Sequence, residues 1–428
     1  MNLAIRKIVE GQSNEDSYRV NRLIRHIVDR CPRRVAGSES EARALEILEK
    51  SYRLAGAQVR FQDFRFNEHL YANLALHFGL ATLASLIAFW SPMTALCLHL
   101  MVAISYIGDT QRWFLFLRRL FPFVDSRNLL ATLPASQAIR QRIVLISHAD
   151  AAFTGKVFHP DMVRQSLPSD NVVQNFMRKS MLLGVVTILG LVGVETAMLL
   201  FDVGGVWTTA LIVILTLPSA ITALLNIEVV LRDEVVPGAN DNLSGCAGGV
   251  VLAERLAKTK PDDVEIVFVV TGCEEAGTGG SLALAKAVRE GLWSKDSTVV
   301  LAIDGLSNGE LRYFIDGELS PIPITPWLKD TIESVVRANP RYGEVCSYEI
   351  PTGGTDAMPF LASGYTGVGI GCIDPEIGAP RHYHLPSDTP DNLDLNQLVF
   401  SIDFIEDLVG ALMDRSRAER RSSCQSVE

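Results

Sequence analysis

The chain contains four long and strongly apolar runs, at residues 74–90, 93–107, 181–201 and 206–227. A helix needs roughly 20 apolar residues to cross a bilayer, and shorter ones are accommodated by tilt or local thinning. The short connections "SPM" and "DVGG" separate the runs into two pairs. This pattern predicts two transmembrane helical hairpins, at residues 72–108 and 180–228.

The other apolar runs are short and end in polar or small residues. Six of them predict β-strands: "AQVRFQDFRF", "NLLATLP", "RIVLISH", "VEIVFVVTG", "TVVLAID" and "GVGIG". Helical periodicity occurs between them, at residues 16–54, 245–258 and 280–290. Such strands, interleaved with helices, are typical of a sheet that is buried on both faces. We therefore expect one discontinuous α/β domain, built from residues 1–70, 110–175 and 230–415, and a flexible tail at 416–428.

Basic residues mark one end of each predicted hairpin, while the connections within the hairpins contain no Lys or Arg. The basic flanking residues are Arg112, Arg118, Arg119, Arg178, Lys179 and Arg232. Since cytoplasmic flanks carry an excess of Lys and Arg, the α/β domain is expected on the cytoplasmic side of an integral membrane protein with four transmembrane helices. The segment "QRWFLFLRRLFPF", at residues 111–123, is expected to lie along the membrane surface.

Composition excludes two classes of protein. The formal net charge is −10 and no run of Lys or Arg resembles a nucleic-acid-binding patch, so nucleic acid is not an expected partner. The seven cysteines are scattered and have no CxxC spacing, which argues against both a disulfide framework and a cysteine zinc site. Cysteine use therefore fits a reducing compartment.

Carboxylates and imidazoles stand at the ends of the predicted strands or in loops of five separate segments. These residues are His148, Asp150, Asp241, Glu274, Glu275, Asp304, His382 and His384. Each of them alone has an ordinary explanation, such as a loop histidine or a solvated acidic corner. Together, two histidines and three carboxylates have the ligand chemistry of a pair of zinc ions.

The order of these segments resembles the two-zinc exopeptidase family of the bacterial leucyl aminopeptidases, whose relatives include glutamate carboxypeptidases, glutaminyl cyclases and the transferrin receptor. The motifs that carry the resemblance are "LISHAD", "PGANDNLSG", "CEEAGTGGS", the strand-end Asp304, "GGTDAMPF" and "YHLPSDTPDNLD". It implies a three-layer αβα zinc exopeptidase domain with a mixed, largely parallel central sheet. In this chain, the two predicted transmembrane hairpins would interrupt that domain.

The resemblance also implies a role for each residue. His148 and Asp304 would bind one zinc ion, Glu275 and His384 the other, and Asp241 would bridge the two co-catalytic ions. Asp150 would orient the ring of His148, and Glu274 would be the general base that moves a proton from water to the leaving amine. Tyr383 resembles the phenol that stabilises the oxyanion in some relatives, and Asp356 lies in a signature near the substrate pocket.

Some assignments stay open at this point. Cys273 stands where the family usually has a small residue, and the segment around Asp304 matches its motif loosely. Asp296 is the alternative to Asp304, although it precedes its strand, and His382 is the alternative to His384. The three titratable residues within the apolar runs, His77, His99 and Glu195, are expected to form hydrogen bonds between helices or to lie near headgroups.

The leading hypothesis is a membrane-anchored aminopeptidase that hydrolyses peptide or aminoacyl amide bonds, with membrane-derived compounds among its substrates. The alternatives are an acyltransferase that resembles glutaminyl cyclases and a catalytically inactive receptor or scaffold on the same fold. A transporter fits least, since no internal repeat is visible. The sequence specifies neither the preferred side chain of the substrate nor the oligomeric state.

Overall fold

The computed structural model describes residues 3–289, 291–316 and 322–425. Its strands are β1 (Gln58–Phe66), β2 (Val124–Leu133), β3 (Gln141–His148), β4 (Val264–Thr271), β5 (Thr298–Ile303), β6 (Glu310–Asp316), β7 (Cys346–Glu349) and β8 (Thr366–Ile373). They form one eight-stranded sheet in the order β1-β2-β4-β3-β5-β8-β6-β7. The central strands β4, β3, β5 and β8 are parallel, while β1, β2 and β6 join the sheet by antiparallel pairing. The predicted mixed, largely parallel sheet is confirmed.

The helices are α1 (Leu3–Arg30), α2 (Glu39–Leu54), α3 (Leu70–Ile87), α4 (Pro92–Thr110), α5 (Pro160–Val163), α6 (Val172–Met177), α7 (Ser180–Phe201), α8 (Val206–Arg232), α9 (Leu243–Thr259), α10 (Gly279–Arg289), α11 (Pro326–Ala338), α12 (Met358–Ala362) and α13 (Leu395–Gln425). Helices α1, α2, α9, α11 and α13 cover one face of the sheet, and α10 and α12 cover the other. Alternate residues of β3 enter the two cores, Ile143 and Leu145 on one face and Val144 and Ile146 on the other. The three-layer αβα architecture is confirmed.

Two strands were not predicted from the sequence. In β6, "ELRYFID", charged residues interrupt the apolar ones, and β7 has only four residues, "CSYE". Both lie at one end of the sheet, where β7 pairs only with β6 and its residues are exposed or half-buried. Because they are not buried on both faces, they lack the continuous apolar pattern of the central strands.

The four long apolar runs form α3, α4, α7 and α8, which are long and apolar enough to cross a membrane. The two hairpins pack against each other as one four-helix bundle with an interior of buried apolar residues, among them Phe78, Tyr106 and Ile188. The outer surface of the bundle exposes large apolar side chains, and Trp90 and Trp207 near the hairpin turns are 81% and 85% exposed. Helix α8 continues five residues beyond its predicted end at residue 227.

The polar residues inside the bundle bind each other across helices. His99 Nδ1 lies 2.8 Å from Glu195 Oε1, and both side chains are fully buried. His77 Nε2 lies 2.8 Å from Ser105 Oγ on the neighbouring helix. The first of these contacts joins the two hairpins, because His99 belongs to α4 and Glu195 to α7.

Helix α13 continues through residue 416 to Gln425, and the segment "RSRAERRSSCQ" contains no Gly or Pro that would end a helix. The flexibility of the tail at 416–428 stays a prediction. The last three residues of that predicted tail lie outside the described residues, as do the first two of the chain. The six cysteines whose side chains are described form no disulfide.

Candidate metal centre

The carboxyl ends of the central strands bring the predicted ligands to one edge of the sheet. β3 ends at His148, and the loop that follows β4 carries Glu274 and Glu275. Asp304 directly follows β5. Because these strands are parallel neighbours, the residues that follow them meet at the same edge.

Asp241 lies at the centre of this cluster, just before α9. Its Oδ1 is 3.2 Å from His148 Nε2, and its Oδ2 is 3.2 Å from His384 Nε2. Asp304 Oδ1 lies 3.7 Å from the same atom of His148, while Glu275 Oε1 lies 3.4 Å from His384 Nε2. The described residues therefore form three overlapping groups of potential metal ligands. Two of them share Asp241, one with His148 and Asp304 and one with His384 and Glu275, and the third consists of His148, Glu274 and Glu275.

The donor atoms of this cluster fit bound cations. His148 Nε2 and Glu275 Oε1 are buried, yet among the described residues neither has a hydrogen-bond partner. Burial raises the pKa of Glu274, Glu275 and Asp304 above their usual values, because ionised carboxylates are costly to bury without compensating charge. Imidazole nitrogens and carboxylate oxygens around a common space are the ligand set that zinc prefers.

His148 and Asp241 also shift each other's pKa values. Burial opposes protonation of His148, but the surrounding carboxylates, Glu274 first, outweigh it and raise the pKa of His148 well above its usual value. For Asp241, burial is likewise outweighed, because the contacts with His148 and His384 lower the pKa of its carboxyl. The electrostatic field of the cluster thus keeps Asp241 ionised and available to cations.

The amides of the segment "PGANDNLSG" connect Asp241 to the loop after β5. Asn242 caps α9 by accepting a hydrogen bond from Gly245 N, and its Nδ2 donates to Ile303 O at 2.9 Å. Asn240 Oδ1 accepts a 2.9 Å hydrogen bond from Ser307 N. The polar bend therefore fixes Asp241 and the segment around Asp304 relative to each other.

Three further residues hold the backbone beside Asp241. Asp388 accepts hydrogen bonds from the backbone N–H groups of Asn240 and Asp241, at 2.8 and 3.1 Å. Arg34 is 1% exposed and donates to Pro237 O and Ala149 O, which joins the segments on either side of the second hairpin. Gly238 has φ +59°, and a Cβ atom there would lie 2.6 Å from Asp241 O, so only glycine fits. The role of Arg34 was not predicted, because nothing near it in the sequence marks it.

Asp150 holds the loop that carries Glu274 and Glu275 more closely than it holds His148. Its carboxylate accepts hydrogen bonds from Glu274 N at 3.1 Å and from Glu275 N at 2.9 Å, and it is fully buried. Its Oδ1 lies 3.6 Å from His148 Nδ1, whereas the backbone carbonyl of Asp150 is 3.3 Å away from that nitrogen. Asp150 thus connects the His148 segment with the Glu274 segment.

An aromatic wall borders the metal-ligand cluster. It consists of Tyr71, Phe153, Phe158 and Tyr383, all of them half-buried. The ring of Phe158 lies 4.4 Å from that of His384, and Tyr383 lies 3.9 Å from the same imidazole. Tyr71, in the first turn of α3, contacts the rings of Phe153 and Phe158 edge-on at 6.1 and 6.2 Å. Only Tyr383 of this wall was singled out from the sequence, since the other three belong to no motif.

The remaining predicted residues lie beside the cluster or away from it. Asp356 is buried and accepts a 2.6 Å hydrogen bond from Thr271 Oγ1 at the end of β4, and burial raises its pKa to about 6. His382 Nδ1 lies 2.9 Å from Ser387 Oγ. Asp296 is exposed before β5. Among the described residues, neither His382 nor Asp296 belongs to a potential metal-ligand group, in contrast to His384 and Asp304.

Residues 227–409 match the family model described as Peptidase family M28. The match includes Asp241, Glu274, Glu275, Asp304 and His384, whereas His148 lies before it. The resemblance that the motifs indicated is thereby confirmed. No curated protein is significantly similar in sequence over the chain.

Several solved structures share the fold. A glutaminyl cyclase from Fimbriiglobus ruber is 16% identical, with 92% of this chain and 95% of that chain covered and a TM-score of 0.53. A zinc aminopeptidase from Bacillus subtilis is 13% identical, with 92% and 94% covered and a TM-score of 0.54. An aminopeptidase from Aneurinibacillus sp. strain AM-1 is 15% identical, with 92% and 93% covered and a TM-score of 0.52. At these identities the similarity shows a common fold.

Proposed function

We propose that this protein is a membrane-anchored, two-zinc metallopeptidase that acts as an aminopeptidase. The observation that carries the proposal is the position of Asp241, whose two carboxylate oxygens face His148 and His384 at the same distance of 3.2 Å. One carboxylate between two histidine–carboxylate pairs is the arrangement that two zinc ions with a shared ligand require. His148 and Asp304 would hold one ion, and His384 and Glu275 the other.

Each of the two sites would have three protein ligands and a remaining coordination position, as in catalytic rather than structural zinc sites. Zinc bound there would polarise the scissile carbonyl and lower the pKa of a coordinated water molecule.

The chain itself supplies the proton transfer. Glu274 Oε2 lies 3.8 Å from His148 Nε2 and is the carboxylate of the cluster that is not needed as a ligand. It accepts a proton from the attacking water and delivers it to the leaving amine.

The ring of Tyr383 lies against that of His384, with the ring centroids 3.9 Å apart and the planes inclined by 32°. Burial, followed by the charges of Asp241 and Glu275, raises the pKa of Tyr383 well above its usual value, so it stays a hydrogen-bond donor at neutral pH. It donates to the carbonyl oxygen as negative charge develops there. The aromatic wall around it fits a large apolar side chain at the amino-terminal residue of the substrate.

The four apolar helices support a membrane-embedded bundle. Their outward faces expose large apolar side chains, which in water would form an unusually large exposed patch. Exposed tryptophans occur near both hairpin turns, Trp90 and Trp207, and Trp113 follows α4 at the opposite end of the bundle. This distribution suits two membrane interfaces, and the basic flanks favour a cytoplasmic position of the α/β domain.

Metal analysis and one substitution test the proposal. Purified protein is expected to contain two zinc ions per chain and to release amino-terminal residues from peptide amides. Glu274→Gln should keep the zinc and lose about 10³-fold or more in kcat. Protein without zinc, or a Glu274→Gln variant that hydrolyses peptides normally, would contradict the proposed function. Zinc binding without any turnover by the wild type would favour an inactive scaffold.

A second candidate is a glutaminyl-cyclase-like acyltransferase, because solved structures described as glutaminyl cyclases share the fold at TM-scores similar to those of the aminopeptidases. The complete set of two-metal ligands favours hydrolysis. An assay with a peptide that begins with glutamine separates the two: cyclisation releases ammonia and retains all residues, whereas hydrolysis releases free glutamine.

Substrates from the membrane are part of the proposal, because the first turn of α3 contributes Tyr71 to the wall beside the cluster. An apolar cleft at the base of the bundle would receive acylated amino compounds or peptides that are anchored in the bilayer. The test compares kcat/KM for a soluble peptide with that for the same peptide carrying an acyl chain, in protein reconstituted into liposomes. Equal or faster turnover of the soluble peptide would refute this part of the proposal.

A further inference from the structure

Arg118 was predicted to be a basic residue at the membrane surface, but its side chain is fully buried between the four-helix bundle and the catalytic domain. It lies in a 3₁₀ turn at Leu117–Leu120, after α4. Each of its three guanidinium nitrogens has an acceptor: Nη1 donates to Asp109 Oδ1 at 3.2 Å, Nε donates to Asn67 Oδ1 at 3.3 Å, and Nη2 donates to Ala276 O. A charge buried in this way and bound on all sides fixes the groups around it.

On the side of the bundle, Arg118 is connected to both helices of the first hairpin. Asp109 belongs to the last turn of α4 and is 4% exposed. Its second oxygen accepts a 2.8 Å hydrogen bond from Asn73 Nδ2 in the first turn of α3. The carboxylate of Asp109 therefore connects the base of both helices to the guanidinium of Arg118.

On the side of the catalytic domain, Arg118 binds the loop that carries the general base. Ala276 directly follows Glu274 and Glu275, the residues proposed as general base and metal ligand. Asp150 fixes the N–H groups of that acidic pair, so the loop is held at its amide side by Asp150 and at its carbonyl side by Arg118. A second arginine contributes to the same contact, because Arg112 Nε donates to Thr278 Oγ1 at 3.1 Å.

The loop approaches these arginines closely. A Cβ atom on Gly277 would lie 3.3 Å from Arg118 Nη1 and 3.4 Å from Arg112 Nη2, and Gly277 has φ +109°, a conformation that favours glycine. Burial lowers the pKa of Arg118 to about 10, so the guanidinium remains charged at neutral pH. The contact is therefore a permanent connection at physiological pH.

We propose that Arg118 is a positioning residue, which couples the first apolar hairpin to the loop that carries Glu274 and Glu275. This inference rests on the proposed metallopeptidase function. It assigns the first hairpin a part in ordering the metal centre, in addition to a part in anchoring. Because displacement of a reacting group by about 1 Å can cost about 10²-fold in rate, a small shift of this loop is sufficient to impair catalysis.

The test replaces Arg118 by lysine, which keeps the charge but cannot reach three acceptors from one planar group. We expect kcat to fall about 10- to 100-fold, KM to stay within about threefold, and zinc affinity measured by chelator competition to fall about 10- to 100-fold, as for other residues that support metal ligands. Asp109→Asn, a change of similar volume, is expected to lower kcat and zinc affinity in the same direction by a smaller factor.

Arg255→Lys is the matched control. Arg255 is also an interior arginine bound by three carboxylates, those of Asp16, Asp403 and Glu406. It lies about 18 Å along α9 from the end next to Asp241. A purely structural role for Arg118 predicts that both lysine variants lose thermal stability while kcat and zinc affinity of the folded protein stay unchanged.

The outcomes separate this inference from the proposed function. Wild-type protein that binds zinc but hydrolyses no peptide would contradict the function, and the zinc affinities of the Arg118→Lys and Arg255→Lys variants would still decide the inference. For wild-type protein that binds no zinc, amide hydrogen exchange of residues 274–278 decides it, with faster exchange expected in Arg118→Lys and Asp109→Asn only. The inference would be overturned by equal zinc affinities of these variants and the control or, where no zinc binds, by equal exchange rates of residues 274–278.

Discussion

Replacement of Asp304 by asparagine is expected to stabilise the metal-free protein. In the metal-free state a carboxylate oxygen of Asp304 lies within 4.8 Å of one of Asp241. At an effective dielectric constant of about 20, two unit charges at this distance repel by about 3 kcal/mol. The imidazolium of His148, 3.7 Å from Asp304, offsets part of this repulsion. Burial leaves the pKa of Asp304 raised, so its ionisation still opposes folding.

The sign of the effect follows from that raised pKa. The folded protein holds the proton of Asp304 more tightly than the unfolded chain does, so stability falls as the pH rises from the unfolded to the folded pKa. At pH 8 the neutral amide avoids this cost, and we expect a gain in the free energy of unfolding that stays below the repulsion of about 3 kcal/mol from Asp241. For a domain of this size, about 1 kcal/mol corresponds to roughly 2–4 °C in the melting temperature.

Zinc should reverse the order of the melting temperatures of the wild type and Asp304→Asn. Ligand at about 1,000 times its Kd stabilises the folded state by about 4 kcal/mol, so the wild type should gain roughly 10 °C. The variant lacks one of the proposed ligands and should gain much less. The measurement is thermal unfolding at pH 8 in detergent, with a chelator and with excess zinc.

Asp296→Asn is the control, because Asp296 is exposed and is the alternative that the sequence left open for the same motif. The Asp296→Asn protein should have the melting temperatures of the wild type, both with a chelator and with excess zinc. Two results together would refute the reasoning. Without metal, Asp304→Asn would melt at or below the melting temperature of the wild type, and excess zinc would raise its melting temperature as much as that of the wild type.

Four more outcomes follow from the structure. Phe158→Ala should lower kcat/KM about tenfold for substrates with a large apolar amino-terminal side chain and much less for alanyl substrates, as measured in parallel amidase assays. Tyr383→Phe should lower kcat about 100-fold at nearly constant KM, and an unchanged kcat would exclude the proposed oxyanion contact. Burial raises the pKa of Glu41 to about 8, so its ionisation should lower wild-type stability from pH 5 to pH 8 by up to about 1.4 kcal/mol per pH unit, and Glu41→Gln should remove this contribution to the slope in pH-dependent melting curves. His99→Leu leaves Glu195 buried without its partner and should cost about 3 kcal/mol in detergent unfolding, whereas a double leucine variant should recover most of this loss.

The central part of the fold could be predicted because burial on both faces leaves a continuous apolar pattern. β3, β4 and β5 are such strands, and the residues that follow them are the candidate ligands. The edge strands β6 and β7 lack this pattern, since solvent rather than a second layer covers part of their surface. The pattern of apolar residues therefore predicts the central strands, which carry the candidate site, more readily than the edge strands of the sheet.

The residues that hold the site in place could not be predicted in the same way. Arg34, Tyr71 and Arg118 are remote in sequence from the residues that they contact beside the candidate ligands, and only the folded chain creates these contacts. Arg118 even carries a misleading signal, because a basic residue after an apolar helix is usually a membrane-surface residue. Its contact with Ala276 joins segments that are 158 residues apart in the chain, and no local pattern encodes such a contact.

The insertion of the second hairpin inside the α/β domain has a physical explanation in the contacts between its two ends. A helical hairpin begins and ends on one side of a membrane, so its insertion requires only that its two ends lie close together in the host fold. Here the ends are joined by an antiparallel bridge between Phe153 and Val235, with Thr154 N donating to Glu234 O at 2.9 Å. This bridge lies between His148 and Asp241 in the chain, so the return of α8 from the bundle also brings Asp241 to its partner. Closure of the second hairpin therefore also brings together His148 and Asp241, two of the proposed metal ligands.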